Sequence, residues 1–127
     1  MHQVVSFSAW HTKGVVALTA AEGWPSWTPE RVQRALSAPG VIAVVAVDDA
    51  GEVIGVAEML TDGAVIAYLG VLVVAEHVRG RGIGRELMLE AARRTGLERF
   101  DLLSEDDALG FYESFDHKRK PGVRIYV

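Results

Sequence analysis

From Ala64 to Ala75 the chain is apolar at almost every position, and soon after comes Arg79-Gly80-Arg81-Gly82-Ile83-Gly84 followed by an amphipathic run. This succession constrains the fold more than any other stretch. The apolar segment is too short for a membrane helix and contains Tyr68 and Gly70. It reads as a strand covered on both faces and therefore central in its sheet. On a wheel begun at Ile83, residues Ile83, Leu87, Met88 and Ala91 share one side while Arg85, Glu86 and Arg93 take the other, and Gly96 stands at the C′ position. A glycine-rich turn between a buried strand and a helix start leaves main-chain N–H groups unpaired at the positive end of the helix dipole. Such a turn binds anions, phosphate above all.

The rest of the chain arranges itself around that unit. Val4 to Phe7 reads as an edge strand. Trp10, Val15, Leu18 and Ala21 approximate the inward positions of a helix from about Ala9 to Ala21. Gly23-Trp24-Pro25-Ser26-Trp27 breaks it, and Thr28-Pro29-Glu30 opens a second helix, with Val32, Ala35 and Leu36 inward, that closes at Pro39-Gly40. Strands follow over Val41–Val47 and Val53–Thr61. Asp62-Gly63 predicts a two-residue hairpin into the central strand from Ala64. Beyond the amphipathic helix, Phe100–Leu103 predicts a short strand parallel to the central one, because a strand-helix-strand unit crosses over right-handed. Ser104-x-x-Asp107 predicts a capping box for a last helix carrying Ala108, Phe111, Tyr112 and Phe115 on one face, and two short strands around Pro121-Gly122 end the chain, the second over Val123–Val127. The expectation is one α/β domain over residues 1–127, its mixed sheet mostly antiparallel and flanked by helices.

Composition narrows the function classes. The absence of cysteine excludes a thiolate nucleophile, a thiolate zinc site and a disulfide scaffold. A net charge of −4 argues against a nucleic-acid backbone as main partner. The four histidines show no ligand spacing, so no metal is expected. Met1-His2-Gln3-Val4 lacks the basic n-region of a signal peptide, and no stretch suits a membrane, which leaves the cytoplasm as the expected location. An exposed edge strand makes a homodimer an expectation as well.

Two familiar phosphate loops do not fit. No Gly-x-x-x-x-Gly-Lys-Ser/Thr string exists, and a Gly-x-Gly-x-x-Gly begun at Gly80 ends on Arg85. What fits is Arg/Gln-x-x-Gly-x-Gly/Ala, as Arg79-Gly80-Arg81-Gly82-Ile83-Gly84, and with its strand and helix this resembles the acetyl-CoA loop of GNAT acetyltransferases. Phe111-Tyr112-Glu113-Ser114-Phe115-Asp116-His117 is similar to the family's Phe-Tyr-Glu-x-Leu-Gly-Phe, departing at Asp116 and His117. The order of elements matches the family over nearly the whole chain, which is short in its last strands.

The resemblance implies a GNAT-like acyl-CoA N-acyltransferase fold, its central strand splayed from the parallel neighbour so that the pantetheine arm lies between. Leu72 and Val74 would border that arm. The pyrophosphate would rest on amides of Gly80, Gly82, Ile83, Gly84 and Arg85, with Arg79 and Arg81 adding positive charge. Acetyl-CoA would be the cosubstrate, attacked directly by a primary amine of a small molecule or peptide. Tyr112 matches the tyrosine that protonates the departing thiolate, and the N–H of Val74 is the expected oxyanion donor. The carboxylate that some members carry near the start of the central strand falls at Ile66 and is missing. Glu58, Glu76, His77 and an ordered water chain are the alternatives for the base. Trp24 and Trp27 would help to form the acceptor site, and Glu22 nearby would suit a cationic amine. Two other readings stay open: a catalytically idle acyl-CoA-binding or regulatory module of the same fold, and a binder of another phosphate such as ATP or NAD.

Overall fold

The computed structural model describes residues 1–127. Its strands are β1 (His2–Ser6), β2 (Val41–Asp48), β3 (Val53–Thr61), β4 (Ala67–Val74) and β5 (Asp101–Leu102), side by side in chain order in a single sheet. Neighbours from β1 to β4 are antiparallel, and β5 runs parallel to β4, as the right-handed crossover requires. Helices α1 (Thr12–Ala21) and α2 (Pro29–Leu36) cover one face, α3 (Ile83–Thr95) covers the other, and a short α4 (Leu109–Glu113) packs beside α3. The mixed, mostly antiparallel sheet with flanking helices is as expected.

Each face has its own core. Ile83, Leu87, Met88 and Ala91 of α3 meet Val44, Ala46, Ala57, Met59, Ala67 and Leu69. Val15, Leu18, Val32 and Leu36 meet Ala43, Val45, Val56, Val71 and Val73 on the opposite side. Strict alternation would put Leu69 and Val71 on one face. They part because Glu58 pairs with Val71 while Met59 pairs with Leu69, leaving Gly70 as the extra residue of a β-bulge. A single inserted residue thus exchanges the faces of β4 midway along its length.

Several boundaries depart from the sequence expectations. Asp62 Oδ1 accepts the N–H groups of Ala64, Val65 and Ile66 at 2.9, 2.8 and 3.0 Å, so those amides serve the loop and β4 starts at Ala67 instead of Ala64. The same bonds hold the Asp62 carboxyl below the usual carboxylate range. Ala9–His11 forms a separate 3-10 turn, in which the Ser8 N–H donates to His11 Nδ1 at 2.9 Å, and this turns Trp10 outward to 81% exposure. The capping box at Ser104 does not form, since its hydroxyl donates to the Glu105 carbonyl at 2.8 Å, and α4 follows a 3-10 turn at Asp106–Ala108.

The two terminal strands are absent. No regular element follows Glu113, and Val123, Ile125, Tyr126 and Val127 are exposed. β5 pairs over only two positions and offers little ladder to extend, and Pro121 has no N–H to give. No non-glycine residue has positive φ, so Asp116 does not take the left-handed turn that its glycine-like position suggested. No helix is long and apolar enough to cross a membrane.

Candidate active site

The loop from Arg79 to Gly84 joins β4 to α3 through a short 3-10 turn at Glu76–Val78. Gly80 and Gly82 have φ of +80° and +84°, a region that residues with a Cβ rarely adopt. An ideal Cβ at either would find no atom within 4 Å, so their outer side is open to an approaching group. Gly82 occupies the N-cap of α3 without any side-chain acceptor, and the Glu86 N–H donates to its carbonyl at 3.0 Å. The amides of Ile83, Gly84 and Arg85 precede that bond and have no acceptor within the helix. This is an anion cradle built from main chain, and the donor set fits a diphosphate.

Beside the loop, β5 pairs with β4 only at Tyr68 and Leu69. From Gly70 onward this edge of β4 has no neighbouring strand, and half-buried Leu72 and Val74 flank the opening. Gly84 closes the loop against the strand, its ideal Cβ lying 3.4 Å from Val74 Cγ2 and 3.8 Å from Phe111 Cζ.

The three arginines of the segment behave differently. Arg79 Nε donates to the Val74 carbonyl at 3.0 Å, and the same guanidinium binds the Glu22 carboxylate. Its charge is therefore spent on protein partners, as is that of Glu22. Arg85 stacks on the Phe115 ring, 4.6 Å from the centroid. Arg81 is exposed and takes part in no ion pair.

Glu58 lies at the middle of β3 on the α1/α2 side, directly over Gly70, with its residue only 8% exposed. Burial pushes its carboxyl above the ordinary glutamate value, yet none of its oxygens is sealed off without a partner. Gly70 gives it this room, because a Cβ there would strike Oε1. An isolated glycine inside a strand pattern signals such a bulge, and Gly70 escaped notice as part of the site. Tyr112 packs from α4 against the α3-side core, with Phe111 edge-on at 5.1 Å, and burial pushes its phenol up. Carboxylate and phenol thus stand on opposite sides of the sheet, with the opening at β4 between.

Other named residues scatter. Glu76 and His77 are exposed in the turn, and Ile66 is 62% exposed in the hairpin loop. Trp24 is 37% exposed, whereas Trp27 is half-buried against the α1/α2 core. Trp27 lines an open cavity of about 470 Å³ together with Ser26, Arg31, Arg34 and Ala35, and its two guanidiniums make it unsuited to a cation.

A mixed sheet whose one parallel pair parts beside an uncapped helix start is the architecture seen in acetyltransferase structures. Residues 39–119 match the family model described as acetyltransferase (GNAT) domain. A candidate acetyltransferase from Deinococcus radiodurans R1 is 30% identical, with TM-score 0.80 over 98% of this chain and 87% of the other. A GNAT family acetyltransferase from Streptococcus pneumoniae TIGR4 is 25% identical, with TM-score 0.80 over 100% and 98%. The aminoglycoside N-acetyltransferase AAC(6')-Iy, solved with CoA, shares the fold at 16% identity and TM-score 0.80, over 100% and 94%. No curated protein sequence matches significantly. The chain belongs to the GNAT acetyltransferase family.

Proposed function

We propose that the protein transfers the acetyl group of acetyl-CoA to a primary amine of a small molecule or peptide. The observation that carries this reading is the uncapped α3 N-terminus, with two left-handed glycines, placed where β4 loses its neighbour. The diphosphate rests on the amides of Gly80, Gly82, Ile83, Gly84 and Arg85, and Arg81 supplies the free charge. The pantetheine arm runs along Leu72 and Val74. Structures of AAC(6')-Iy with CoA and with a CoA-acetylneamine analogue support the choice of CoA and of an amine.

In this reading Glu58 takes the amine proton. Its desolvated carboxylate is a stronger base than an exposed one, and Gly70 leaves its oxygen uncovered toward the opening. The Val74 N–H stabilises charge developing on the thioester oxygen. Tyr112, a phenol and so protonated at neutral pH, with burial favouring the same form, holds a proton for the leaving sulfur. Trp24 and Trp27 bound the acceptor side from the α1–α2 linker.

A thermal-shift series with acetyl-CoA, CoA, ATP and NAD tests the cradle, followed by thiol release with an amine panel. At a hundredfold excess over Kd, acetyl-CoA should stabilise by about 2.7 kcal/mol. Stabilisation by ATP or NAD alone would overturn the reading, and binding without turnover would leave an acyl-CoA-binding module.

A further inference from the structure

We propose that Arg79 and Glu22 form a positioning pair that ties the anion-binding loop to the α1–α2 linker, so that the two sides of the site are held as one unit. Three observations carry this. First, one guanidinium spans three elements. It holds the last carbonyl of β4, starts the glycine loop, and reaches the carboxylate at the end of α1. Second, Glu22 is the C-cap residue of α1, where the helix dipole disfavours a carboxylate, and the last turn of α1 contains no basic residue. The compensating cation comes from the other side of the site. Third, the linker holding Trp24 and Trp27 begins at the next residue. Its main-chain bonds (Gly23 N–H to Ala20, Trp24 N–H to Thr19 and Thr28 N–H to Ser26, each at 3.0 Å, and Trp27 N–H to Trp24 at 3.4 Å) are local and reach no part of the loop. Arg81, two residues on, keeps a free charge for the phosphates, so Arg79 is not needed there.

The inference rests on the proposed function only where it concerns CoA, and the sign of one substitution separates the two roles. If Arg79 were a phosphate ligand, removing the Glu22 charge would free its guanidinium and tighten acetyl-CoA. As a positioning pair, the same change loosens the loop and weakens it.

The experiment compares wild type, Glu22→Gln, Arg79→Gln and the double variant. Hydrogen exchange of residues 23–28 and 79–84 is followed in the protein alone, and acetyl-CoA affinity by calorimetry. Each single variant should raise exchange about two- to fivefold in both segments, the range expected for a half-exposed ion pair, and the double variant no more than the larger single one. Acetyl-CoA binding should weaken by a similar factor in Glu22→Gln and in Arg79→Gln, and a further variant, Arg79→Lys, which keeps the charge on a narrower head, should lose less than Arg79→Gln. Unchanged exchange in the linker of Arg79→Gln, or tighter acetyl-CoA binding in Glu22→Gln, overturns the pair. If wild type binds no acetyl-CoA, the function reading fails, while the exchange data still decide whether the pair couples the segments.

Discussion

Replacing Gly70 with alanine tests the β4 bulge and the placement of Glu58 together. Gly70 is not among the positive-φ residues, so its backbone accepts a side chain without strain. In an ordinary strand the exchange would stabilise by about 0.5–1 kcal/mol, because glycine loses more freedom on folding. Here the new methyl meets two groups. Leu60 Cδ1, at 3.0 Å, belongs to a residue 41% exposed, which can rotate outward. Glu58 Oε1 belongs to a residue 8% exposed, walled by the α1/α2 core, and must be displaced. Overpacking of this kind costs roughly 1–3 kcal/mol, so after the backbone gain the net effect lies between about zero and a loss of about 2.5 kcal/mol.

Urea denaturation of Gly70→Ala, Glu58→Ala and the double variant measures this directly. In the Glu58→Ala background the obstruction is gone, and Gly70→Ala should be neutral or stabilising by about 0.5 kcal/mol. The coupling between the two sites should therefore reach about 1–3 kcal/mol. Acetyl transfer should fall in Gly70→Ala while acetyl-CoA affinity holds, since the loop lies beyond the bulge. An equal cost of Gly70→Ala in both backgrounds would refute the account, because glycine would then serve something other than the carboxylate.

Five further outcomes follow from the same geometry. Because burial raises the Glu58 pKa, kcat/KM should climb as pH rises through that value, above the ordinary 4.5, and Glu58→Gln should flatten the profile at a rate about 10²–10⁴ lower. The raised folded pKa also means that ionising Glu58 destabilises the fold, so the denaturation free energy of Glu58→Gln relative to wild type should improve as pH rises from the ordinary glutamate value of 4.5 through the raised folded one; a constant difference would remove burial as the cause. Tyr112→Phe should cut the maximal rate and leave acetyl-CoA affinity nearly unchanged in calorimetry, whereas undiminished turnover would strip Tyr112 of the acid role. Gly82→Asp should abolish acetyl-CoA binding, by negative charge in the cradle and by φ of +84°, with a strain cost of about 1–2 kcal/mol visible in its melting. Deleting Val123–Val127, exposed and unpaired, should shift stability by no more than about 0.5 kcal/mol.

What could be read from the sequence was local in origin. The glycine loop, the α3 wheel and the Thr28-Pro29 helix start are written in neighbouring residues, and the structure reproduces each: Thr28 Oγ1 accepts the Arg31 N–H at 3.3 Å, and Ile83, Leu87, Met88 and Ala91 are buried. Pattern failed where a tertiary partner or a competing local bond decided. Val123–Val127 has the composition of a strand, but a strand needs a neighbour, and β5 is too short to offer one. The Asp62 carboxylate captured three amides that apolar patterning assigned to β4. The resemblance implies a phosphate charge at Arg79, but the guanidinium binds Glu22, which lies 57 residues away and which no spacing rule connects to it.

The bulge explains how a carboxylate on one face and a phenol on the other come to flank a single opening. A regular β4 would keep its alternation, so Val71 and Val73 would face α3 and the edge residues Leu72 and Val74 would face α1/α2. Inserting Gly70 does two things at once: it moves Val71 and Val73 to the α1/α2 side and leaves, at the inserted position, a residue without a side chain beneath Glu58. The parallel pairing ends at Leu69, one residue before the bulge, so the sheet opens where its faces exchange. The crossover helix then starts beyond that opening with its amides uncovered. Carboxylate and gap therefore depend on one local irregularity, and the two glycines resist substitution for different reasons: Gly70 for lack of room under Glu58, Gly80 for its φ of +80°.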